Sequence, residues 1–431
     1  MSQGRTRSRA RTPGRRLVTD AERRARLGRR HILEPAEAES IETLVDRLLV
    51  LHATDPATIY LSVGARRPGL TVGDVDEALF DRRSLYRTMV MRRTLFVCTT
   101  ELGPDVEGSS APGVARSERK RLEKFIGDTE LSADQLDGLP AEPSAWLAAV
   151  FERVLTALDG PGGDDDRGGR TARQLTVDVP ALTTKLVAGK GTRQEMELAA
   201  TSRVLGLMAV EGLLIRGRPS TTWTGRQYRW YRRDRWWDGS AGPVPEVDGD
   251  AARARVLEGY LRRFGPATLT DLVWWTGWTK TQTRAALASF ATVEVDVEGD
   301  GVDGGVGEEP GLLLADDAEP VDPPEPWAAL LPSLDPTPMG WKLRRWYLGD
   351  HQGPLFDRNG NVGPTVWVDG RIVGGWSQRP DGQMVVSLLE EVESHERRLI
   401  EAKRAQLQDF VGSVVVRPSF PTPLQRELSQ G

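Results

Sequence analysis

One stretch of the chain specifies a run of helices more firmly than any other. Apolar side chains recur on one helical face across residues 256–264. Gly265 and Pro266 then interrupt that helix, because a proline cannot continue it. Thr268 and Asp271 form a capping box, in which each side chain accepts a hydrogen bond from a free backbone amide at the start of the next helix. Two helices joined by a tight break are therefore predicted.

The capping signals continue downstream of this break. Gly277 is placed to end the second helix, and Thr279 with Gln282 caps a third. Residues 292–299 then alternate apolar and acidic side chains, which is the pattern of a strand. A helix-turn-helix followed by a strand predicts a winged-helix unit.

Two earlier stretches repeat this order of elements. Thr71 with Asp74 caps one helix, and residues 85–98 behind it are predicted to form one or two strands. A second helix is predicted over residues 194–211, ended by Gly212 and followed by a long ribbon. Three similar units in tandem are an internal repeat. The predicted fold class is α+β, built of tandem winged-helix (helix-turn-helix) domains.

The C-terminal part of the chain has a different pattern. Asp369-Gly370 and Asp381-Gly382 lie at hairpin-turn positions between alternating strands, and residues 390–410 have the spacing of an amphipathic helix followed by a short strand. The predicted division is a basic disordered arm at 1–19, a first unit at 20–142, a second at 143–245, a third at 246–300, and an acidic loop with a β-rich element and terminal helix at 301–431.

Composition excludes several classes of protein. A chain of 431 residues is too long for one small core, and no apolar run approaches the length of a membrane span. The single cysteine, Cys98, excludes a disulfide framework and a cysteine-ligated zinc site, and it fits a reducing cytosol. Only four scattered histidines are present, so no metal site and no cofactor is predicted.

The charge is unevenly distributed along the chain. Residues 1–30 carry eleven arginines against two acidic residues, a balance of +9, so that a net charge of −5 leaves −14 for the rest. A basic arm on an acidic body often contacts nucleic acid or an acidic partner. The alternative is a weakly constrained tail.

The stretch LHATDPATIYLS places polar residues where a buried stripe should continue. Apolar positions recur through residues 41–49, and His52 falls four residues after Leu48 on the same predicted helical face. Thr54 and Asp55 follow. One interpretation is a helix junction in which Thr54 or Asp55 caps a helix beginning at Pro56. The other interpretation is a reaction site.

A ribbon at residues 223–237 is the clearest nucleic-acid feature. Its arginines alternate with aromatic residues, and so many like charges repel one another unless a polyanion is near. A plain amphipathic strand, with aromatics inward and arginines outward, is the alternative. The interleaved residues are Arg226, Arg229, Arg232, Arg233 and Arg235 with Tyr228, Trp230, Tyr231, Trp236 and Trp237.

The third unit offers a weaker DNA-binding face. Lys280 and Arg284 lie on the predicted recognition helix. The strand behind that helix is acidic at Glu294, Asp296 and Glu298, and carboxylates beside phosphates lower affinity. A structural unit with its tryptophans in the core is the alternative.

In their order along the chain, several motifs resemble the AlkZ/YcaQ-type winged-helix DNA glycosylases, which include interstrand cross-link repair enzymes. The motifs are LHATDPATIYLS, MRRTLFV, GPATLTDLVWWTG, LPSLDP and VDGRIVGGW, and the resemblance covers the chain from about residue 30 to its end. It implies three winged helices closing into a C-shape with a β-rich element. It also implies binding of double-stranded DNA and excision of alkylated or cross-linked bases.

The resemblance also identifies candidate site residues. The family signature Gln-x-Gln or Gln-x-Asp is here His52-Ala53-Thr54, and the family strand motif Arg-Gly-Thr-Leu-His is here RRTLF at residues 92–96. A glycosidic bond is cleaved by an oriented water while positive charge builds on the sugar. A neutral His52 with an ordinary pKa could take a proton from water, Thr54 could hold that water, and Asp55 could supply negative charge.

Two functional hypotheses follow from these residues. The first is a monofunctional DNA glycosylase, monomeric and cytoplasmic at the nucleoid, with Arg92, Arg93 and Thr94 on the floor of its DNA cleft. His52 and Asp55 are then expected to be partly exposed, close enough with Thr54 to share one water. The second hypothesis is a non-catalytic DNA-binding protein, a damage sensor or transcriptional regulator on the same scaffold.

Overall fold

Helices and strands alternate along the whole chain, as expected for an α+β fold. In the computed structural model, the described residues are 12–34, 40–132, 136, 138–160, 168–237, 242–243, 248–299 and 306–430. One hydrophobic core runs through them from Leu27 to Leu424, so the successive units are packed on one another. Among these residues, no helix combines the length and apolarity needed to cross a membrane.

The first unit packs four helices against a small sheet. Its strands lie in the order β2–β4–β3, so the last strand of the unit lies between the other two. The predicted capping box of Thr71 and Asp74 is present, and residues 85–98 form most of two strands. The elements are α1 Asp20–Arg30, α2 Ile41–Arg47, β2 Leu51–His52, α3 Pro56–Arg66, α4 Val72–Asp76 continuing as a wider turn over Glu77–Asp81, β3 Leu85–Met89 and β4 Leu95–Thr99.

The second unit repeats this order with an inserted hairpin. Its main sheet has the order β5–β9–β8, and β6 pairs only with β7. The helix predicted over residues 194–211 begins later, because residues 196–199 form a strand of the hairpin. The elements are α5 Gly103–Asp128, α6 Pro143–Asp159, β5 Arg170–Thr171, α7 Ala172–Asp178, β6 Lys185–Ala188, β7 Met196–Ala199, α8 Ala200–Val210, β8 Leu214–Pro219 and β9 Tyr228–Arg232.

The third unit contains the three helices that the capping signals predict. Both capping boxes are present, and Gly277 ends the second helix in the left-handed conformation with φ 71°. The elements are α9 Gly249–Phe264, β10 Ala267–Thr268, α10 Leu269–Thr276, α11 Lys280–Leu287, β11 Thr292–Val297 and β12 Gly311–Leu314.

An antiparallel four-stranded sheet follows, in the order β13–β14–β15–β16. Asp369 and Gly370 both have positive φ, as a tight hairpin turn requires, so this predicted hairpin is confirmed. A helix rather than the predicted short strand ends the described chain. The elements are β13 Ala328–Leu331, α12 Arg345–Leu348, α13 Gln352–Leu355, β14 Thr365–Val368, β15 Arg371–Gln378, β16 Met384–Leu388, α14 Ser394–Val411 and α15 Pro423–Leu428.

The N-terminal arm was expected to be disordered over residues 1–19, and this is wrong for residues 12–19. A short strand β1, Leu17–Val18, pairs in parallel with β11 of the third unit. Arg15 forms an ion pair with Glu294, and the Thr12 amide donates to Asp296 Oδ2 at 2.9 Å. The basic arm therefore neutralises the acidic strand that sequence reasoning treated as an obstacle to DNA. Residues 1–11 lie outside the described residues.

A buried ion pair connects the first unit to the C-terminal element. Arg66 at the end of α3 donates to both oxygens of Asp335, each at 2.7 Å. Both side chains are fully buried. Ser62 and the Thr337 amide also donate to Asp335, and the Arg66 guanidinium donates further to the His31 carbonyl and Thr337. The LPSLDP motif thus has a structural role.

The docked arm gives the first testable prediction. Val18 is fully buried in a small cluster with Val295, Val297 and Leu313. Val18→Ala removes apolar surface from this cluster and should lower the free energy of unfolding by about 2 kcal/mol. Arg15→Gln, which removes only a partly exposed ion pair, should cost less than about 1 kcal/mol. Urea denaturation measures both, and equal effects of the two variants would contradict a docked strand.

Candidate functional site

His52 lies in a strand and not at the end of a helix. Helix α2 ends at Arg47, and Leu49 has a positive φ of 65°, which turns the chain away from the helix. His52 then pairs with Phe96 of β4, and their ring centroids are 4.6 Å apart. The continuation of the helical stripe through position 52 is therefore wrong, because the left-handed residue breaks the helical period.

The His52 ring is buried and incompletely hydrogen-bonded. Its side chain is 6% exposed, and its Nδ1 atom is buried without a hydrogen-bond partner. Burial, together with the nearby positive charge of Arg92, lowers the pKa of His52 to about 3, although the negative charge of Asp335 opposes this effect. The expectation of an ordinary pKa is therefore wrong. At neutral pH the ring is uncharged, so it can exchange hydrogen bonds with a water but is a poor proton donor.

The carboxylate of Asp55 accepts hydrogen bonds from two backbone amides. It caps α3 through a hydrogen bond from the Ala57 amide to Oδ1 at 3.2 Å, and its Oδ2 accepts from the Ser419 amide at 3.0 Å. Asp55 is 6% exposed, whereas Thr54 is exposed. The expected partial exposure of His52 and Asp55 is thus wrong, because each side chain packs into its own part of the core. The helix-junction interpretation accounts for Asp55.

The turn between β3 and β4 carries the two arginines of the RRTLF motif. Arg92 and Arg93 both have positive φ, 53° and 58°, as residues of a tight turn. Arg92 stacks on the Trp274 ring with its guanidinium carbon 4.5 Å from the centroid, while Arg93 pairs with Glu118 at 2.6 Å. Thr94 closes the turn through its amide, which donates to the Met91 carbonyl at 3.0 Å. Arg92 is therefore the member of this motif without a carboxylate partner among the described residues.

Trp274 is in contact with a second arginine, which sequence reasoning did not identify. The Arg344 guanidinium carbon lies 5.0 Å from the Trp274 centroid. Burial is the main reason why the pKa of Arg92 is lowered to about 10, and the charge of Arg344 is the next. The alternative interpretation of the third unit expects Trp274, Trp275 and Trp278 to be mostly in the core. Trp275 and Trp278 are buried, but Trp274 is only partly buried. No motif or residue spacing in the sequence predicts the contact between Arg344 and Trp274.

The ribbon of the second unit is largely neutralised by acidic side chains. Arg232 pairs with Asp159 and Asp234, and Arg233 makes a two-pronged ion pair with the buried Glu107 at 2.8 and 2.9 Å. The argument from like-charge repulsion therefore fails for these two arginines. Asp234 belongs to the ribbon, whereas Asp159 and Glu107 come from distant parts of the chain.

The remaining ribbon residues divide into surface and core. Arg226 is exposed, and Arg229 is partly buried on β9. Trp230, Tyr231 and Trp236 are buried, as the plain-sheet interpretation expects. Arg235 is exposed as well, but it pairs with Asp159 at 2.9 Å, so Arg226 is the better candidate for contact with DNA.

An open cavity of about 420 Å³ lies between the first and third units. Helix α5 lines it with Ser109, Ser110 and Arg116, the β3–β4 turn with Arg92, and the start of α11 with Thr279. Arg116 is exposed and has no ion pair among the described residues. The outer face of α11 carries Lys280 and Arg284, which are likewise exposed. A positively charged surface thus extends from Arg92 along α11, where an anionic polymer can bind.

The described residues contain no group of three or more histidine, cysteine, aspartate or glutamate side chains arranged to hold a metal ion. The chemistry that the site can offer comes from its own side chains. These are a neutral imidazole with an unpartnered nitrogen, an exposed hydroxyl at Thr54 two residues along the chain, and arginines that can bind an anion.

Comparisons with known proteins agree on one family. A family model described as DNA glycosylase AlkZ-like matches residues 45–411. An interstrand DNA cross-link repair glycosylase from Streptomyces sahachiroi is 24% identical over 389 residues, which is 88% of this chain and 92% of that protein. The solved structure of Streptomyces sahachiroi DNA glycosylase AlkZ superposes with a TM-score of 0.62 at 21% identity, covering 92% of this chain and 98% of that one. That structure has the same fold.

The neutral state of His52 makes the stability of the fold depend on pH. Because its pKa in the folded chain is about 3 and its ordinary value is about 6.5, the unfolded chain binds the proton first as pH falls. The neutral ring contributes its full stabilisation of the folded state above about pH 6.5. This contribution is lost progressively as the pH falls from 6.5 towards 3.

His52→Gln should therefore reduce the slope of the unfolding free energy against pH, near pH 5, by about 1.4 kcal/mol per pH unit. Urea denaturation between pH 4.5 and 7.5 measures this slope. His395→Gln, at a side chain that is 46% exposed, is the control variant. An unchanged slope in His52→Gln would show that the folded ring takes up a proton normally.

The ion pair between Arg233 of the ribbon and Glu107 gives a further prediction. Arg233→Gln leaves the buried Glu107 carboxylate without its ion-pair partner and should lower the free energy of unfolding by about 3 kcal/mol. The double variant Arg233→Met with Glu107→Met removes both charges and should recover most of that loss. Arg226→Gln should leave stability unchanged. Thermal unfolding measures these changes in stability. An Arg233→Gln variant as stable as the wild type would contradict the structural role of this arginine.

Proposed function

The chain belongs to the AlkZ-like DNA glycosylase family, and we propose that it is a monofunctional glycosylase that removes alkylated or cross-linked bases from duplex DNA. The observation that carries the proposal is the placement of His52. The position that the resemblance identifies with the family's catalytic signature holds a buried, neutral ring with one unpartnered nitrogen, next to the arginine-bearing turn of RRTLF. The cross-link repair activity named for the Streptomyces relative supports the same class of substrate.

The low pKa of His52 restricts the reaction that it can support. A base alkylated on a ring nitrogen carries positive charge and departs as a neutral molecule, so its release needs no proton donor. The enzyme must then orient a water and accommodate charge on the sugar. We assign to neutral His52 the hydrogen bond to that water, and to the exposed Thr54 a second contact with it. Asp55 fixes the start of α3 and positions these two residues.

The three repeated units support DNA binding as tandem winged helices. Each has the order helix, strand, helix, helix, strand, strand, with the last strand paired between the other two. We propose that they form a C-shaped surface on the duplex, with the β-rich C-terminal element closing one side. The DNA-binding residues on this surface are Arg92, Arg226, Lys280 and Arg284, with Arg93, Thr94, Arg229, Trp230, Arg232 and Arg233 supporting its shape.

We propose that the protein acts as a monomer, without metal or cofactor, in the cytoplasm at the nucleoid. We propose domain boundaries at residues 142 and 245, and we extend the third unit beyond residue 300 to include β12, which pairs with β10 and β11. The arm at 12–19 belongs with the third unit.

A non-catalytic damage sensor is the second candidate. The departure of the His52-Ala53-Thr54 slot from Gln-x-Gln or Gln-x-Asp favours it, as does the commitment of both Asp55 oxygens to backbone amides. Such a protein would bind damaged duplexes and release no base.

Base release from duplexes that carry N-alkylated purines or a purine cross-link distinguishes the two candidates. His52→Ala should lower the single-turnover rate by about a hundredfold or more, because it removes a group that acts on the water in the transition state. Affinity for the same duplex should change less than about threefold, since such a group contributes little to ground-state binding.

His52→Gln restores the residue type of the family signature and is the matched variant, expected to retain base release. Thermal unfolding checks that each variant is folded. Tight duplex binding with no release by the wild type on either substrate would identify a sensor. Parallel losses of affinity and stability in His52→Ala would assign His52 a structural role only.

A further inference from the structure

Three parts of the chain converge on one tryptophan. Trp274 belongs to α10 of the third unit, Arg92 to the β3–β4 turn of the first unit, and Arg344 to the segment before α12 of the C-terminal element. The two guanidinium carbons lie 4.5 and 5.0 Å from the Trp274 ring centroid. Arg344 also stacks on Phe356, at 5.0 Å. Stacking of this kind holds a guanidinium plane while leaving its N–H edges available to a ligand.

The backbone on each side of this cluster is fixed. Asp271 is fully buried, and its Oδ1 accepts from the amides of Lys342 and Leu343, both at 2.9 Å, which places Arg344 beside α10. Gly277 has positive φ, and a Cβ at that position would lie 2.9 Å from the Arg92 side chain. The backbone on both sides therefore helps to hold the two stacked guanidinium groups in place.

The charges of this cluster are not compensated within the described chain. Neither Arg92 nor Arg344 forms an ion pair there. Arg92 Nε and Arg344 Nη1 are buried atoms without hydrogen-bond partners. The carboxylate that approaches this region, Asp271, is occupied by four hydrogen bonds from backbone amides and Thr268. Two arginines near one another repel, and buried donors without partners are costly, so the arrangement is suited to an anion.

We propose that Arg92 and Arg344, both stacked on Trp274, form a clamp for one phosphodiester of the DNA backbone. This inference rests on the proposed function, since it requires a bound duplex. Arginine donates two parallel N–H bonds to a phosphate, which matches planar guanidiniums held by stacking. Arg92 lies in the turn that leads into β4, and β4 pairs with His52 through Phe96, so the clamped phosphate lies near the nucleotide presented to His52. The C-terminal element thereby contributes directly to the site.

The salt dependence of binding tests the clamp. Each phosphate contact contributes about 0.9 to the slope of log affinity against log salt. Arg344→Gln should flatten this slope by about that amount and weaken duplex binding about tenfold at 0.1 M salt. Arg345→Gln is the matched control, because the adjacent Arg345 is exposed and pairs with Asp350. The duplex affinity of Arg345→Gln should remain within twofold of that of the wild type. Its slope of log affinity against log salt should match the wild-type slope.

Two further measurements keep the test decisive if Arg344→Gln folds poorly. Arg344→Lys retains the charge and should retain the slope, while losing affinity through the loss of two-pronged contact. Single methylphosphonates placed at each phosphate around the lesion should reveal one position at which neutralisation weakens wild-type binding about tenfold. Arg344→Gln should be insensitive to neutralisation at that position.

The clamp and the glycosylase activity fail in different ways. An unchanged salt slope in folded Arg344→Gln, or the absence of a sensitive phosphate, overturns the clamp even if bases are released. If Arg344→Gln flattens the salt slope as expected but the wild type releases no base, the clamp stands and the glycosylase activity is overturned. A wild type that binds no duplex overturns both.

Discussion

The buried ion pair of Arg66 and Asp335 is the contact on which the arrangement of the site depends. Two charges without exposure are stable in a protein only when their hydrogen bonds are satisfied. Burial alone would raise the pKa of Asp335, but Arg66 and the donors around the carboxylate lower it below its ordinary value. Ser62, Thr337 and the carbonyl of His31 complete the network. One carboxylate therefore joins the first helix, the first unit and the C-terminal element.

This network fixes the position of His52 indirectly. Helix α3 ends at Arg66 and begins after Asp55, so the ion pair holds one end of the helix and the Asp55 cap holds the other. Asp55 also accepts from Ser419, which binds the C-terminal chain to the same helix start. The strand that carries His52 directly precedes this cap. Its orientation consequently depends on a contact between residues 364 positions apart in the sequence.

Local signals in the sequence predicted local structure well. The capping boxes at Thr268 and Thr279 and the left-handed Gly277 depend on residues within four positions of one another, and all are present. The end of α2 was missed, because a leucine in the left-handed conformation at position 49 has no sequence signature. That single residue changes His52 from a helical position to a strand position, and so changes which atoms surround its ring.

Long-range charge pairing was the part that the sequence could not predict. Arg233 appeared available to DNA until Glu107, 126 residues earlier, was placed beside it. The acidic strand at 294–298 appeared hostile to DNA until the arm was placed on it. Arg344 had no signal at all, since its importance comes from stacking on Trp274. In each case the sequence shows how many charged residues are present, but the tertiary fold determines which groups they contact.

Under the proposed function, the positive surroundings of His52 also bear on selectivity. Arg92 helps to keep the ring neutral, so the imidazole has no proton to give to a departing base at neutral pH. An undamaged purine leaves as an anion and needs such a proton, whereas an alkylated purine leaves as a neutral molecule. Burial of the ring, assisted by Arg92, therefore withholds acid catalysis from normal nucleotides. Discrimination against undamaged DNA then follows from the chemistry available at His52, even where an undamaged base fits the site.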